Sequence, residues 1–119
     1  MRLNFDMEME NCIADCMNCY RVCQRTVADC LCDLEGKRHI SEGHLTILFD
    51  CAKICSTSVD FMLRHSPRHG ETCGLCATIC ETCAEECDKI ADDPQLRECA
   101  RLCRKCAQSC QSMWLQVAA

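Results

Sequence analysis

The chain has 119 residues, enough for one domain (1–119) with a single core but not for two. Its formal net charge of −5 argues against a nucleic-acid partner, and no run approaches the roughly 20 apolar residues that span a bilayer, so no membrane association is expected. Hydrophobic residues make up 49%, but that figure includes 17 cysteines, and one Trp, one Tyr and three Phe leave a thin apolar set for an ordinary core.

The first predicted helix runs from about Asn4 to Leu34. Phe5, Met9, Cys12, Cys16, Cys19, Cys23 and Cys30 keep one seam through it at helical spacing, the pattern of a face turned toward a neighbouring helix. Ile13, Tyr20, Val27 and Leu34 lie beside that seam and widen the buried stripe. Cys32 is out of phase and is expected near the helix end. Glu35 to Gly43 is polar and glycine-bearing and reads as a loop. Ser41 can cap a second helix reaching about His65, where Ser66-Pro67 stops it. Its seam is His44, Leu48, Cys51, Cys55, Ser58 and Met62.

A third helix is predicted from about Glu71 to Ala91, carrying Cys73, Cys76, Cys80, Cys83 and Cys87 on one face. Asp93 as N-cap with Pro94 at the first helical position opens a fourth, to about Val117, with Cys99, Cys103, Cys106 and Cys110. Cysteines at i, i+4, i+7 and i+11 therefore recur three times, starting at Cys12, Cys76 and Cys99. Helix 2 is a degenerate fourth copy, with Ser58 and Met62 in its last two positions. Four long segments with short connections predict an all-α, antiparallel up-down-up-down four-helix bundle with a cysteine-lined core. Ala52, Ala77, Ala84, Ala100 and Ala107 follow seam cysteines and permit close helix approach.

Disulfides fit this pattern poorly, because thiols on one face of one helix staple nothing that the helix has not already fixed, and their number is odd. The N-terminal MRLNFDMEMENC has no apolar h-region or twin arginine; a reducing cytoplasm is the expected compartment. Cysteine as a mere small hydrophobe explains one or two such positions. It does not explain nearly every seam position of four helices, which Leu, Ile and Val would fill better. Sulfur at this density is a soft-metal ligand set. Zinc with four thiolates leaves a charge of −2 in a low-dielectric core, and a bundle full of such sites accumulates buried charge. One Cu(I) per thiolate is neutral, so charge balance predicts a bore filled with many Cu(I) ions, on the order of one per thiolate. The alternative is an iron–sulfur electron-transfer protein, although no C-x2-C-x2-C-x3-C-P run is present. A third reading is a structural bundle with incidental thiols. The C-x-x-C matches at Cys16, Cys73, Cys80 and Cys103 lack a βαβ context. No Ser/His/Asp set, phosphate loop or paired carboxylate site appears, so no enzyme is expected.

The CxxxCxxCxxxC pattern on four helices resembles the cytosolic bacterial copper storage proteins over essentially the whole chain. That resemblance implies Cu(I) held by inward thiolates, a homotetramer, and storage of copper or protection against it. By position it implies Cys12, Cys16, Cys19, Cys23, Cys30, Cys51, Cys55, Cys73, Cys76, Cys80, Cys83, Cys87, Cys99, Cys103, Cys106 and Cys110 as ligands, with Cys32 less firmly placed. Two features depart from the family. Helix 2 has only two cysteines, and the connection before helix 4 has no histidine.

Alternating helix directions gather Phe5, Met9, Met62, His65, His69, Cys73, Met113 and Trp114 at one end and Cys30, Cys32, His39, His44, Cys87 and Cys99 at the other. Copper from a small carrier thiol or a copper chaperone is expected to enter at the second end, near His44 and His39. Met9, Met62 and Met113 mark the competing door.

Overall fold

The computed structural model describes residues 6–33, 40–90 and 92–118, with side chains through 116. Expectations that fall on Phe5, Leu34, His39, Ala91, Val117 and residues 35–38 of the first loop lie outside the described residues, wholly or in their side chains. Four helices follow one another: α1 (Met7–Leu31), α2 (Glu42–Leu63), α3 (His69–Asp88) and α4 (Pro94–Ala118).

Local chemistry sets their ends. The Asp6 carboxylate accepts from the backbone N–H of Glu8 and Met9 at 3.0 and 3.2 Å, so α1 starts three residues later than the seam alone predicts. It ends at Leu31, with Cys32 as its C-cap, short of the expected Leu34. The Ser41 hydroxyl accepts from His44 N–H at 3.0 Å and caps α2. The Asp93 carboxylate accepts from Gln95 and Leu96 N–H at 2.8 and 3.2 Å and caps α4, with Pro94 at its first position. Helix α3 has no side-chain cap and runs two residues earlier at its start and three shorter at its end than expected.

At the end of α2, Ser66 N–H bonds Phe61 C=O at 2.9 Å and His65 N–H bonds Met62 C=O at 3.0 Å. This is a Schellman stop with His65 at φ 53°, in the left-handed position that glycine usually fills. His65→Gly is expected to raise stability by about 1 kcal/mol, read as an upward shift of the thermal midpoint.

Each helix packs on its two chain-order neighbours, α1 and α4 closing the square. Pairs such as Cys12 with Cys110 and Cys23 with Cys99 show that α1 and α4 run antiparallel. The expected alanines at 52, 77, 84, 100 and 107 are buried, so the walls sit close together. Gly74 is part of the same economy: a Cβ there would lie 3.1 Å from the Trp114 ring. Ile13 and Tyr20 pack beside the core and Val27 is buried in it, as their sevenfold spacing predicts.

Candidate metal centre

The helical seams deliver fifteen cysteines into one interior, each with no solvent exposure: four from α1, two from α2, five from α3 and four from α4. They do not form separate cages. Starting at the Met9 end, Cys12 Sγ lies 3.7 Å from Cys110, which lies 3.4 Å from Cys16, which lies 3.6 Å from Cys106. From Cys106 the path passes to Cys55 at 3.9 Å, Cys80 at 3.8 Å and Cys51 at 3.6 Å. It continues to Cys19 at 3.7 Å, Cys103 at 3.7 Å, Cys23 at 3.9 Å and Cys99 at 4.0 Å. Sulfurs also meet across both diagonals, Cys19 with Cys80 and Cys51 with Cys103, each at 3.9 Å.

Four-sulfur groups within 4.8 Å overlap along this path. Cys55, Cys76, Cys80 and Cys106 form one, and Cys19, Cys51, Cys55 and Cys80 another, sharing Cys55 and Cys80. All seventeen thiols are free, and even the 3.4 Å approach of Cys16 and Cys110 is far outside the roughly 2.05 Å of a disulfide. An iron–sulfur cluster interposes its own iron–sulfide cage between ligand sulfurs. Thiols 3.4 to 4.0 Å apart are set closer together than the ligands of such a cage.

Among the described residues, the buried polar side chains are Thr26, His44 and Ser58, and no Lys or Arg is buried with the thiols. Nothing there can neutralise an accumulating negative charge, so the metal itself must do so. The thiols are nevertheless not alike. Hydrogen bonds, from Cys103 first and then Cys106, Cys23 and Cys51, hold Cys19 below the ordinary thiol range against the effect of burial. Cys110 moves upward, through Cys106 first and then Cys12, Cys16, Cys73 and burial. Cys110 is also the largest influence on Cys73, pulling it down, but contact with Cys12 and burial outweigh it and the thiol is pushed up to about 12.

Both ends of the bore are closed. At one, Met9, Met62 and Met113 are buried, and Cys73 S–H donates to the Met62 thioether at 3.8 Å. At the other, His44 is 2% exposed with Nε2 3.4 Å from Cys87 Sγ. Burial, outweighing the nearby Glu86 carboxylate, lowers the His44 pKa and keeps the ring neutral, while contacts with Cys83 and Cys99, then burial, raise Cys87. The pair is thus a neutral imidazole in hydrogen-bonding contact with a thiol.

The family model for copper storage proteins matches residues 6–115. The chain belongs to that family. A structure from Nitrosospira multiformis is 37% identical, with a TM-score of 0.83 over 94% of this chain and 99% of its own. The Cu(I)-bound copper storage protein of Bacillus subtilis is 37% identical, with a TM-score of 0.81 over 90% of this chain and 98% of its own. A cytosolic copper storage protein from Streptomyces lividans, with five coppers, is 26% identical, with a TM-score of 0.81 over 91% and 92%. No significantly similar curated protein was found.

As a copper storage protein the chain is not an enzyme: its core cysteines hold cargo and turn nothing over. The expected ligand positions divide by burial. Cys12, Cys16, Cys19, Cys23, Cys51, Cys55, Cys73, Cys76, Cys80, Cys83, Cys87, Cys99, Cys103, Cys106 and Cys110 share the interior, whereas Cys30 is half-buried and Cys32, the α1 C-cap, is exposed. Ser58 and Met62 do occupy the two ligand positions missing from α2, both with no exposure. Thr26 was missed. It is buried one step beyond Cys23 on the same seam and is tied to Val22 C=O at 2.7 Å and Gln95 Nε2 at 3.0 Å; its three-residue spacing from Cys23 was the available signal. Among the described residues no helix is long and apolar enough to cross a membrane.

Proposed function

We propose that this copper storage protein holds multiple Cu(I) ions as thiolate complexes along the whole bore, with the fifteen buried cysteines as ligands and Cys30 and Cys32 serving the rim. The continuous sulfur path carries the reading. With metal–sulfur bonds of about 2.3 Å, sulfurs span about 4.0 Å in a trigonal site and about 4.6 Å in a linear one. The observed separations of 3.4 to 4.0 Å reach these spans with small side-chain adjustments. One Cu(I) per thiolate keeps the interior neutral, since each thiol releases its proton as metal enters and, among the described residues, no buried cation is available to balance anything else.

The copper arrives from a small carrier thiol or a copper chaperone, in the cytosol, the compartment named for the Streptomyces relative. Metal enters at the His44 end, where the half-buried Cys30 and exposed Cys32 lead toward His44 and Cys87; the Met9, Met62 and Met113 end offers no exposed thiol. Four such bundles associate into a homotetramer. Exposed Leu75, Trp114 and Leu115, beside the α3/α4 face, support association.

Anaerobic titration of the reduced protein with Cu(I) tests the function. Binding is expected to continue to about one metal per buried thiol, with no visible iron chromophore in the isolated protein. Saturation near one metal per chain, or a brown protein carrying iron, would overturn storage.

A further inference from the structure

A groove of about 420 Å³ runs along the outside of the bundle between α1 and α4. Arg21 and Arg25, one turn apart on α1, line one side, and Arg101 and Glu98 line the other. Arg101 is spent on Glu98, to which its Nε donates at 3.0 Å. Among the described residues neither Arg21 nor Arg25 has an ion-pair partner. Two guanidinium groups therefore repel each other across one helical turn, in a groove with net positive charge on a chain whose formal net charge is −5. Buried Val22 and half-buried Leu102 form the floor.

At one end the groove lies against the wall of the bore. Gln95 lines the groove and donates from Nε2 to the Thr26 hydroxyl at 3.0 Å, and Thr26 occupies the seam position after Cys23. Directly inside lie Cys23 and Cys99, 4.0 Å apart.

We propose that the α1/α4 groove docks a small polycarboxylate thiol that carries Cu(I), its carboxylates on Arg21 and Arg25 and its thiolate-bound metal at the Gln95–Thr26 end. This rests on the storage reading and names the donor class for it. The volume suits a molecule of tripeptide size, and paired guanidinium groups suit carboxylates. Transfer is ligand exchange without redox change. A carrier sulfur–copper bond breaks as a bond to the half-buried rim sulfur of Cys30 forms, the proton of that thiol passes to the departing carrier thiolate, and copper remains Cu(I).

The test compares stopped-flow loading of the full-length reduced protein from two donors, the Cu(I) complexes of glutathione and of uncharged 2-mercaptoethanol. For the double variant Arg21→Gln, Arg25→Gln, loading from glutathione is expected to slow about tenfold at low salt, with loading from 2-mercaptoethanol and final capacity unchanged. High salt should slow the wild type toward the variant. Equal rates for variant and wild type with glutathione, or equal slowing with both donors, would overturn the groove while leaving storage intact. A wild type that stores no copper from either donor overturns both. Heteronuclear NMR titration with S-methylglutathione, which cannot donate metal, should shift the amides around Arg21, Arg25 and Gln95; no shift there also overturns the groove.

Discussion

Ser58→Cys is expected to add about one Cu(I) per chain and to stabilise the metal-free bundle by about 1 kcal/mol. The Ser58 hydroxyl is fully buried and is the one buried side-chain polar atom without a hydrogen-bond partner among the described residues. An unsatisfied buried hydroxyl costs about 1–3 kcal/mol, whereas a thiol behaves there as a small hydrophobe with a weak donor. The position is also the third of the α2 seam, one turn from Cys55, whose sulfur already touches Cys76, Cys80 and Cys106. A sulfur at 58 would extend the α2 wall toward Met62 and complete a ligand layer that now has a gap. Metal-to-protein ratio after removal of excess Cu(I) measures the first effect and thermal denaturation the second. A variant that gains stability but no metal would show that the sulfurs work as discrete sites.

His44→Ala should slow copper loading about tenfold, equivalent to about 1.4 kcal/mol on the barrier, while leaving final capacity unchanged. The neutral imidazole lies 3.4 Å from Cys87 and closes the end nearest the rim thiols. Incoming metal can exchange from Cys30 to the imidazole and then to Cys87. Without the ring the metal must reach Cys87 unaided. Imidazole is a weaker Cu(I) ligand than thiolate, so its loss removes a step in transit rather than a storage site. Loading kinetics and end-point stoichiometry, measured on the same samples, separate the two. If the triple variant Met9→Ala, Met62→Ala, Met113→Ala is the slow one instead, the door is at the other end.

Much of the interior was legible from spacing. A helix repeats its face every three or four residues, so cysteines at those gaps must share a side, and four such sides in one chain have only each other to face. That reasoning placed the buried cysteines, and it placed Ser58, Met62 and His44 on the α2 seam. It overran the helix ends, because Asp6 and the Schellman stop at His65 are decided by which backbone groups find a local partner, a matter of one or two hydrogen bonds rather than of periodicity. It passed over Thr26, whose hydroxyl is admitted to the core because Val22 and Gln95 satisfy it.

Sequence by itself determined the element count, the inward set of sulfurs and hence the soft-metal chemistry, since these follow from a one-dimensional repeat and from the ligand preferences of thiolates. Only the tertiary structure decided that Cys19 meets Cys80 and Cys51 meets Cys103 across the diagonals, so that the sulfurs join in one path, and that His44 closes on Cys87. It also decided that Arg21 and Arg25 face a groove shared with α4. These depend on the distance and rotation between helices, which small alanines and a glycine under Trp114 set through packing. No spacing within a single helix contains that distance.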